Sequence, residues 1–173
     1  PERNTLSWSS MVAILVHYGE AKDALRSLTQ MCNEGILPNK ASYVNLLSAC
    51  ATTADLKRGR ELHAHIYGIE FQSDIILGTA LLNMYGKCGS ILEAHRVFET
   101  LPNKNVVSWN ALISGYAQHG KSRMVLMLYQ RMCMDGIAPT EVTFFAVLSA
   151  CSFSGLLHDA QGYFISMERD YNL

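Results

Sequence analysis

The amino-acid sequence predicts an all-α chain of stacked helical hairpins, and three observations lead to this fold class. Apolar residues recur at amphipathic-helix spacing in two runs within Val106–Thr140, separated by a turn at Gly120 and closed by Gly136 and Pro139. A shift of 101 residues places Thr5–Asn39 on this segment. The period divides into lengths of 35, 35 and 31. A single hairpin has too little apolar area to form a core, so neighbouring hairpins must stack.

Five repeats follow from this period. Repeats 1 to 5 span residues 5–39, 40–74, 75–105, 106–140 and 141–173, and the last is incomplete. A hydrophobic content of 49% with only 17% charged residues is enough to bury a continuous core. No apolar run approaches the roughly 18 residues that a membrane span needs, so no membrane partner is expected.

Each repeat is expected to bury one apolar face on each of two helices. In repeat 1 the helices span Leu6–Val16 and Ala21–Cys32, with a turn at Tyr18-Gly19. The expected core residues of repeats 1 to 3 are Trp8, Met11, Val12, Leu15, Val16, Ala24, Leu28, Met31, Tyr43, Leu46, Leu47, Cys50, Ala51, Leu62, His63, Ile66, Tyr67, Gly78, Leu81, Leu82, Tyr85, Ala94, Val97, Phe98 and Leu101. Those of repeats 4 and 5 are Trp109, Leu112, Ile113, Tyr116, Ala117, Val125, Leu128, Tyr129, Met132, Phe144, Val147, Leu148, Cys151, Ala160, Tyr163, Phe164 and Met167.

The side chains that could carry out chemistry form no catalytic or metal-binding motif. The five cysteines are odd in number and lack a CxxC pair, which indicates small buried thiols in a reducing compartment. A nucleophile elbow, a P-loop and the zinc deaminase signature are absent from the sequence. His63 and His65 point away from each other on a helix, so they cannot share a metal there. We therefore expect no catalytic residue, no metal and no cofactor.

Charge argues against a non-specific polyanion binder, because the formal net charge is −1. Lys57, Arg58 and Arg60 form one basic cluster, but Asp55 and Glu61 flank it. We expect this cluster to be a solvated outer face.

Three stretches closely resemble the pentatricopeptide repeat (PPR) proteins of land plants: SWNALISGYAQHG, LLNMYGKCGSILEAHRVFETLP and VTFFAVLSACSFSGLLHDAQGYFISM. The alternation of 35, 35 and 31 residues resembles the PLS subclass, with repeats in the order P, L, S, P and an incomplete L. The resemblance covers residues 5 to 173. It implies a right-handed superhelical solenoid of helix-turn-helix hairpins.

The resemblance also implies that the first helices line a groove for single-stranded RNA. One base is recognised by one repeat, through the residues at position five and the last position, while the residue at position two packs against the base. The implied base-reading pairs are Ser9 with Asn39, Val44 with Asp74, Thr79 with Asn105 and Asn110 with Thr140, and Phe145 stands at position five of the incomplete repeat. The implied base-packing residues are Leu6, Ala41, Ile76, Val107 and Val142.

These pairs imply a preference, read 5′ to 3′, of adenine, any base, adenine, pyrimidine. Serine or threonine with asparagine resembles an adenine reader, and asparagine at position five favours a pyrimidine. Thr140 departs from the usual residue at the last position, which leaves cytosine and uracil both open. Val44 and Phe145 have no hydrogen-bonding side chain, so their repeats resemble spacers.

Members of this subclass usually specify sites of C-to-U editing in organelle transcripts. The sequence holds no deaminase motif, so the resemblance implies that a deaminase domain or an editing cofactor protein acts in trans. It implies a mitochondrial or chloroplast location. The absence of an initiator methionine suggests a fragment of a longer array, whose transit peptide lies elsewhere.

Two other functions and one structural reading remain open from the sequence. A tetratricopeptide array would bind peptides in its groove, but its 34-residue period does not occur here. An association scaffold, including a homodimer through uncapped repeat ends, is the other alternative. Each polar residue at a helix start could also be a helix cap alone.

Overall fold

The computed structural model describes residues 4–67 and 74–173, which form ten helices and no strand. The helices are α1 Thr5–His17, α2 Ala21–Asn33, α3 Lys40–Thr53, α4 Leu56–Tyr67, α5 Ile75–Lys87, α6 Ile91–Thr100, α7 Val106–Gln118, α8 Ser122–Met134, α9 Glu141–Phe153 and α10 Leu157–Tyr171. Each predicted repeat contributes two of them. No helix in the described ranges is both long and apolar enough to cross a membrane.

The chain divides into two compact bodies. The N-terminal body, Pro1–Leu101, contains α1 to α6, and the C-terminal body, Pro102–Leu173, contains α7 to α10. Within each body the first helix of a repeat packs against its own partner helix and against the first helix of the next repeat. In this way α3 lies beside α1 and α5, and α9 lies beside α7. The apolar faces that no hairpin could bury alone are thereby covered.

The first helices supply much of the buried core. Leu46, Leu47 and Cys50 on α3 have no solvent-exposed surface, and neither have Trp109 and Leu112 on α7. Two glycines allow close packing elsewhere in the N-terminal body. A Cβ added at Gly59 would overlap the sulfur of Met84, and one added at Gly78 would overlap a methyl group of Leu101. Small residues at these points therefore set how near the helices can lie.

Four of the sequence predictions about burial are wrong. Met11 is 51% exposed because α1 packs only against α2 and α3 in the described part of the chain. Phe164 is 48% exposed for a similar reason, since α10 packs there only against α9 and the side chains of α8. Tyr67 is 64% exposed at the end of α4. Among the cysteines, Cys50 and Cys151 are buried, but Cys32 is exposed.

The turn after the first helix requires a left-handed residue. In repeat 4 this residue is Gly120, with φ of +64°, and the N–H of Lys121 then reaches back to the carbonyl of Tyr116 at 3.0 Å. In repeat 2 the left-handed residue after α3 is Ala54, with φ of +53°. An L-residue with a Cβ is strained in this region, by about 1–2 kcal/mol.

We expect Ala54→Gly to raise the free energy of unfolding by about 0.5–1 kcal/mol. Relief of left-handed strain is partly offset by the greater unfolded-state freedom of glycine. The matched control is Gly120→Ala, where an added Cβ would meet no atom within 4 Å, so that only the backbone cost changes. Urea unfolding followed by circular dichroism should move the two midpoints in opposite directions. A lower midpoint for Ala54→Gly would contradict the strain argument.

Candidate nucleic-acid interface

The residues at position two of the repeats are apolar and open to solvent. Leu6 is 71% exposed, and Ile76, Val107 and Val142 are 53%, 56% and 54% exposed, while the smaller Ala41 is also exposed. The next residue along the chain is fully buried in repeats 2 to 5. The start of each first helix therefore presents one apolar side chain outward. Such side chains offer a surface on which the face of a base can pack.

The residues at position five are less exposed and mostly polar. Ser9 is buried, and Val44, Thr79 and Asn110 are half-buried. Phe145 differs from them because it is 75% exposed. Except at Phe145, position five lies deeper than position two, so an edge-directed contact can form beneath a packed base.

The residues at the last position cap the helix that follows. The side-chain oxygen of Asn39 accepts a hydrogen bond from the N–H of Ser42 at 2.9 Å, and that of Asn105 accepts one from Ser108 at 2.9 Å. Asp74 accepts from the N–H groups of Ile76 and Leu77 at 2.9 and 3.1 Å. A backbone N–H can only donate, so each asparagine turns its Oδ1 toward the helix. Its amide nitrogen is left facing away.

Ser9 and Asn39 are joined through a third side chain. The hydroxyl of Ser9 lies 2.7 Å from the hydroxyl of Ser42, which lies 3.1 Å from Asn39 Oδ1. Ser9 also donates to the carbonyl oxygen of Thr5 at 2.6 Å. The structure thus brings this predicted pair together, although the two residues are not in direct contact.

Asn110 and Thr140 are in direct contact. The Nδ2 group of Asn110 donates to Thr140 Oγ1 at 2.9 Å, and Asn110 Oδ1 accepts from the hydroxyl of Thr143 at 2.6 Å. The N–H of Thr140 donates to the same hydroxyl at 2.9 Å. Both ends of the Asn110 amide are therefore held, each by one hydrogen bond.

Val44 and Asp74 form no polar pair. Asp74 Oδ2 accepts from Lys40 Nζ at 2.8 Å, while Oδ1 is occupied by the helix cap. Partial burial raises the pKa of Asp74, but the hydrogen bonds from Lys40, Leu77 and Ile76 outweigh it and hold that pKa below its usual value. The carboxylate is ionised at neutral pH, and both of its oxygens have partners within the protein.

Thr79 and Asn105 belong to different bodies, and each has local hydrogen bonds. Thr79 donates its hydroxyl hydrogen to the carbonyl oxygen of Ile75 at 2.7 Å. Asn105 is exposed and forms a capping box with Ser108. The Thr79 oxygen can still accept a hydrogen bond, and the Asn105 amide nitrogen has no bonded partner among the described residues.

The comparisons with known proteins identify the repeats. A family model described as PPR repeat matches residues 6–36, 79–106 and 142–171. A second, described as PPR repeat family, matches residues 104–153. This chain belongs to the pentatricopeptide repeat family.

Curated PPR relatives match almost the whole chain. A mitochondrial PPR-containing protein of Arabidopsis thaliana is 38% identical over 97% of this chain, which corresponds to 19% of that protein. The chloroplastic PPR-containing protein CRR2 of the same plant is 38% identical over 100% of this chain and 27% of its own length. The chain thus spans about a fifth to a quarter of these relatives.

Solved PPR structures confirm the predicted fold class, an all-α solenoid of PPR hairpins. The PPR protein PPR10, solved in complex with an 18-nucleotide psaJ RNA element, superposes with a TM-score of 0.77 at 18% identity, covering 96% of this chain and 25% of that chain. The PPR domain of Arabidopsis thaliana protein-only RNase P 1, solved with tRNA, gives a TM-score of 0.74 at 13% identity, covering 92% and 86%. At such identities the likeness concerns the fold.

The basic cluster of α4 is largely neutralised. Arg60 lies 2.9 Å from the Glu93 carboxylate and Arg58 lies 3.6 Å from that of Asp55. Two of the three cations therefore lie beside carboxylates. This agrees with the interpretation of the cluster as a solvated outer face.

His63 is half-buried beside Tyr85, with Nδ1 at 2.8 Å from the tyrosine oxygen. Burial lowers the pKa of His63, and the Glu93 carboxylate only partly opposes this. The structure supports the interpretation of His63 as a packed histidine. Within the described residues, no group of three or more His, Cys, Asp and Glu side chains could hold a metal ion.

Three residues at position one or three of a repeat contact the predicted base-reading residues through their side chains, and the sequence pattern did not point to them. Lys40 contacts Asp74, Ser42 contacts both Ser9 and Asn39, and Thr143 contacts Asn110. The hydroxyls that recur at position three, in Ser42, Ser108 and Thr143, were the signal that could have identified two of them.

The ion pair between Lys40 and Asp74 should make stability depend on pH. Because the pKa of Asp74 is lowered by folding, its charge stabilises the fold above the unfolded pKa of about 3.9, and this contribution is lost as pH falls through the lower folded pKa. Asp74→Asn keeps a helix cap but removes the charge. We expect it to cost about 1 kcal/mol or less at pH 7.

Urea unfolding of both proteins at pH 7 and pH 3 tests this expectation. The difference between wild type and Asp74→Asn should shrink at the lower pH. An equal difference at both values would exclude the ionised carboxylate as its cause. Lys40→Met should lose only the part of the pH dependence that Lys40 contributes, because the backbone hydrogen bonds of Ile76 and Leu77 to Asp74 remain.

Proposed function

We propose that this chain binds single-stranded RNA, one base per repeat, with a 5′ to 3′ preference for adenine, any base, adenine, pyrimidine. The repeats are taken as P, L, S, P and an incomplete L type with the boundaries given above. One recurring arrangement carries the proposal. An exposed apolar residue stands at position two, a helix-capping residue precedes the helix, and position five is polar except in repeats 2 and 5. Helix capping alone accounts for the last position but gives no reason for the exposed apolar side chain.

The polarity of Ser9 and Asn39 matches the Watson–Crick edge of adenine. The single hydroxyl hydrogen of Ser9 is used within the protein, on Thr5 or on Ser42, so Ser9 can only accept from a base. Asn39 presents a free amide N–H because its oxygen caps α3. Adenine offers an amino donor beside a ring-nitrogen acceptor on this edge, whereas guanine and uracil offer a carbonyl beside an N–H.

The family resemblance pairs Thr79 with Asn105, and each has the hydrogen-bonding polarity of its counterpart in the first pair. The Thr79 hydroxyl donates its hydrogen to the carbonyl oxygen of Ile75, and the Asn105 side-chain oxygen caps α7. An acceptor and an N–H donor again remain. Cytosine presents its donor and acceptor in the same order as adenine. Adenine should be preferred because a purine is longer and reaches short side chains such as serine and threonine.

Asn110 is suited to a pyrimidine of either kind. After its bonds to Thr140 and Thr143, the amide retains one N–H and one lone pair on Oδ1. It can therefore donate and accept at once, as both cytosine and uracil require. The longer asparagine side chain also compensates for the shorter reach of a pyrimidine.

Repeat 2 should tolerate any base. Val44 has no polar side-chain atom, and both oxygens of Asp74 are satisfied by Lys40 and the helix cap. A base at this repeat can pack against Ala41 without meeting an unpaired donor or acceptor. Phe145 could act likewise in repeat 5.

We further propose that the chain is the recognition part of a plant organellar RNA-processing factor, most simply one for C-to-U editing. The mitochondrial and chloroplastic names of its relatives support an organellar location. The PLS-like repeat lengths favour editing, with a deaminase domain or an editing cofactor supplied elsewhere on a longer chain or in trans. Catalysis is not part of the role proposed for residues 1–173.

Association through repeat ends is the second candidate function. Helix α10 buries no residue fully, and Phe164 and Ile165 on it are 48% and 55% exposed. A second copy could cover this face. Sedimentation of the 173-residue chain at several concentrations, with and without RNA, would detect a homodimer.

We expect RNA binding in the micromolar range, since four complete repeats each contribute roughly 1–3 kcal/mol. Fluorescence anisotropy should compare three oligouridine probes of equal length. One carries adenines separated by one base, one carries adjacent adenines, and one has none. Each misplaced adenine should cost about 1–3 kcal/mol, so affinity should fall in that order by about tenfold per step. Measurement at two salt concentrations should show a shallow dependence.

Equal affinity for the three probes would contradict base reading by Ser9 and Thr79. Absence of binding together with a concentration-dependent dimer would favour the association function instead.

Exchanging Thr79 for asparagine should move the third preference from adenine to a pyrimidine. The reason is that asparagine reaches further and carries both a donor and an acceptor, as at Asn110. The test compares probes with adenine, cytosine or uracil at the third site, and Thr79→Ser is the matched control that should keep adenine. If Thr79→Asn still prefers adenine to the same degree, the assignment of repeats to bases is wrong.

A further inference from the structure

In repeats 2 and 5, position three holds a buried hydroxyl group that reaches back to the preceding repeat, whereas the hydroxyl of Ser108 in repeat 4 bonds the backbone of Asn105. Ser42 and Thr143 are both 0% exposed. Ser42 contacts Ser9, which lies 33 residues earlier, and Thr143 contacts Asn110, also 33 residues earlier. Each hydroxyl therefore touches the position-five residue of one repeat from the first helix of the next.

At Thr143 the backbone restricts the directions that the hydrogen bonds can take. The backbone N–H of Thr140 can only donate, so Thr143 Oγ1 must accept from it. The one hydroxyl hydrogen of Thr143 is then directed at Asn110 Oδ1 at 2.6 Å, which is the shorter contact, since Thr140 Oγ1 lies 3.3 Å away. The Asn110 nitrogen is left to donate to Thr140 Oγ1. A main-chain group thus favours, through Thr143, the orientation in which the Asn110 amide turns its oxygen toward Thr143.

At Ser42 the hydroxyl joins both members of the first pair. It lies 2.7 Å from Ser9 Oγ and 3.1 Å from Asn39 Oδ1. It holds Ser9 in place beside the cap, but Ser9 can still direct its own hydrogen to Thr5 without it. Ser42 is therefore a weaker constraint than Thr143.

Helix capping does not require the hydroxyl. In α5 position three is Leu77, and Asp74 caps its N–H at 3.1 Å without any hydroxyl there. The preceding position five is then Val44, which has no polar atom to orient. In sequence, a hydroxyl stands at position three wherever the preceding position five is polar, at Ser42, Ser108 and Thr143, and is missing after Val44.

We propose that Thr143 and Ser42 are positioning residues for base recognition, which orient the position-five residue of the preceding repeat and so sharpen its choice of base. The inference rests on the proposed RNA-binding function. The recognition element of a repeat then has three parts: position five, the last position, and position three of the repeat that follows. Thr143 orients the oxygen and nitrogen of the Asn110 amide, and Ser42 holds Ser9 in place beside Asn39.

The test measures base preference at the first and fourth sites separately. Thr143→Val removes the hydroxyl at nearly constant volume and should bring the ratio of affinities for pyrimidine and purine at the fourth site close to one. The preference at the first site should not change. Ser42→Ala should weaken the adenine preference at the first site by a smaller factor and leave the fourth site unaffected. Thr143→Ser and Ser42→Thr should retain the wild-type ratios.

Ser27→Ala is the matched control for a lost buried hydroxyl. Ser27 is 8% exposed and donates only to the carbonyl of Asp23 in its own helix. It should alter neither site. Equal loss of affinity for every probe in Thr143→Val, or an unchanged ratio at the fourth site, would overturn the positioning role.

A measurement without RNA separates this inference from the proposed function. In the NMR spectrum of the free protein, the Asn110 side-chain amide should show slow proton exchange that is lost in Thr143→Val and kept in Thr143→Ser. Unchanged exchange in Thr143→Val would overturn the inference. If the exchange changes but wild type prefers no base, the orientation of Asn110 stands and base reading fails.

Discussion

The hydrogen bond between the side chain at the end of one repeat and the first turn of the next helix is the interaction on which the candidate site depends. Asn39, Asp74 and Asn105 each place an oxygen over helix N–H groups, and Thr140 forms a capping box with Thr143. The cap decides what remains for a ligand. Asparagine keeps two amide hydrogens, whereas aspartate keeps one more oxygen, which Lys40 neutralises in repeat 2. Capping and the proposed recognition are therefore compatible uses of one side chain.

Periodicity was enough to predict the helices and most of the core, because each repeat buries the same positions against the same kind of neighbour. It failed at Met11 and Phe164, where the described ranges hold no helix of a further repeat that covers the side chain, because a residue pattern shows which face is apolar but not what covers it. The base-packing and base-reading residues came from the family resemblance and remain predictions. Ser42 and Thr143 were missed because a buried hydroxyl looks the same in sequence whether it serves its own helix or one 33 residues away.

The electrostatics of the chain agree with recognition by shape and hydrogen bonds. The net charge is −1, and Arg58 and Arg60 face carboxylates on the second-helix side. A net charge near zero provides little general attraction to phosphates. Discrimination then has to come from buried, oriented groups, whose hydrogen bonds are strong because they are partly shielded from water.

The apolar Val44 and the fully bonded Asp74 limit how much information this chain can hold. A preference for adenine, any base, adenine, pyrimidine is met by chance about once in 32 nucleotides of random sequence, which is too often to define one site in an organelle transcriptome. A repeat that ignores its base nevertheless fixes the distance between its neighbours' bases. In the proposed function, repeat 2 would serve as a spacer of constant length and would join the two proposed adenine contacts into one pattern with a defined gap.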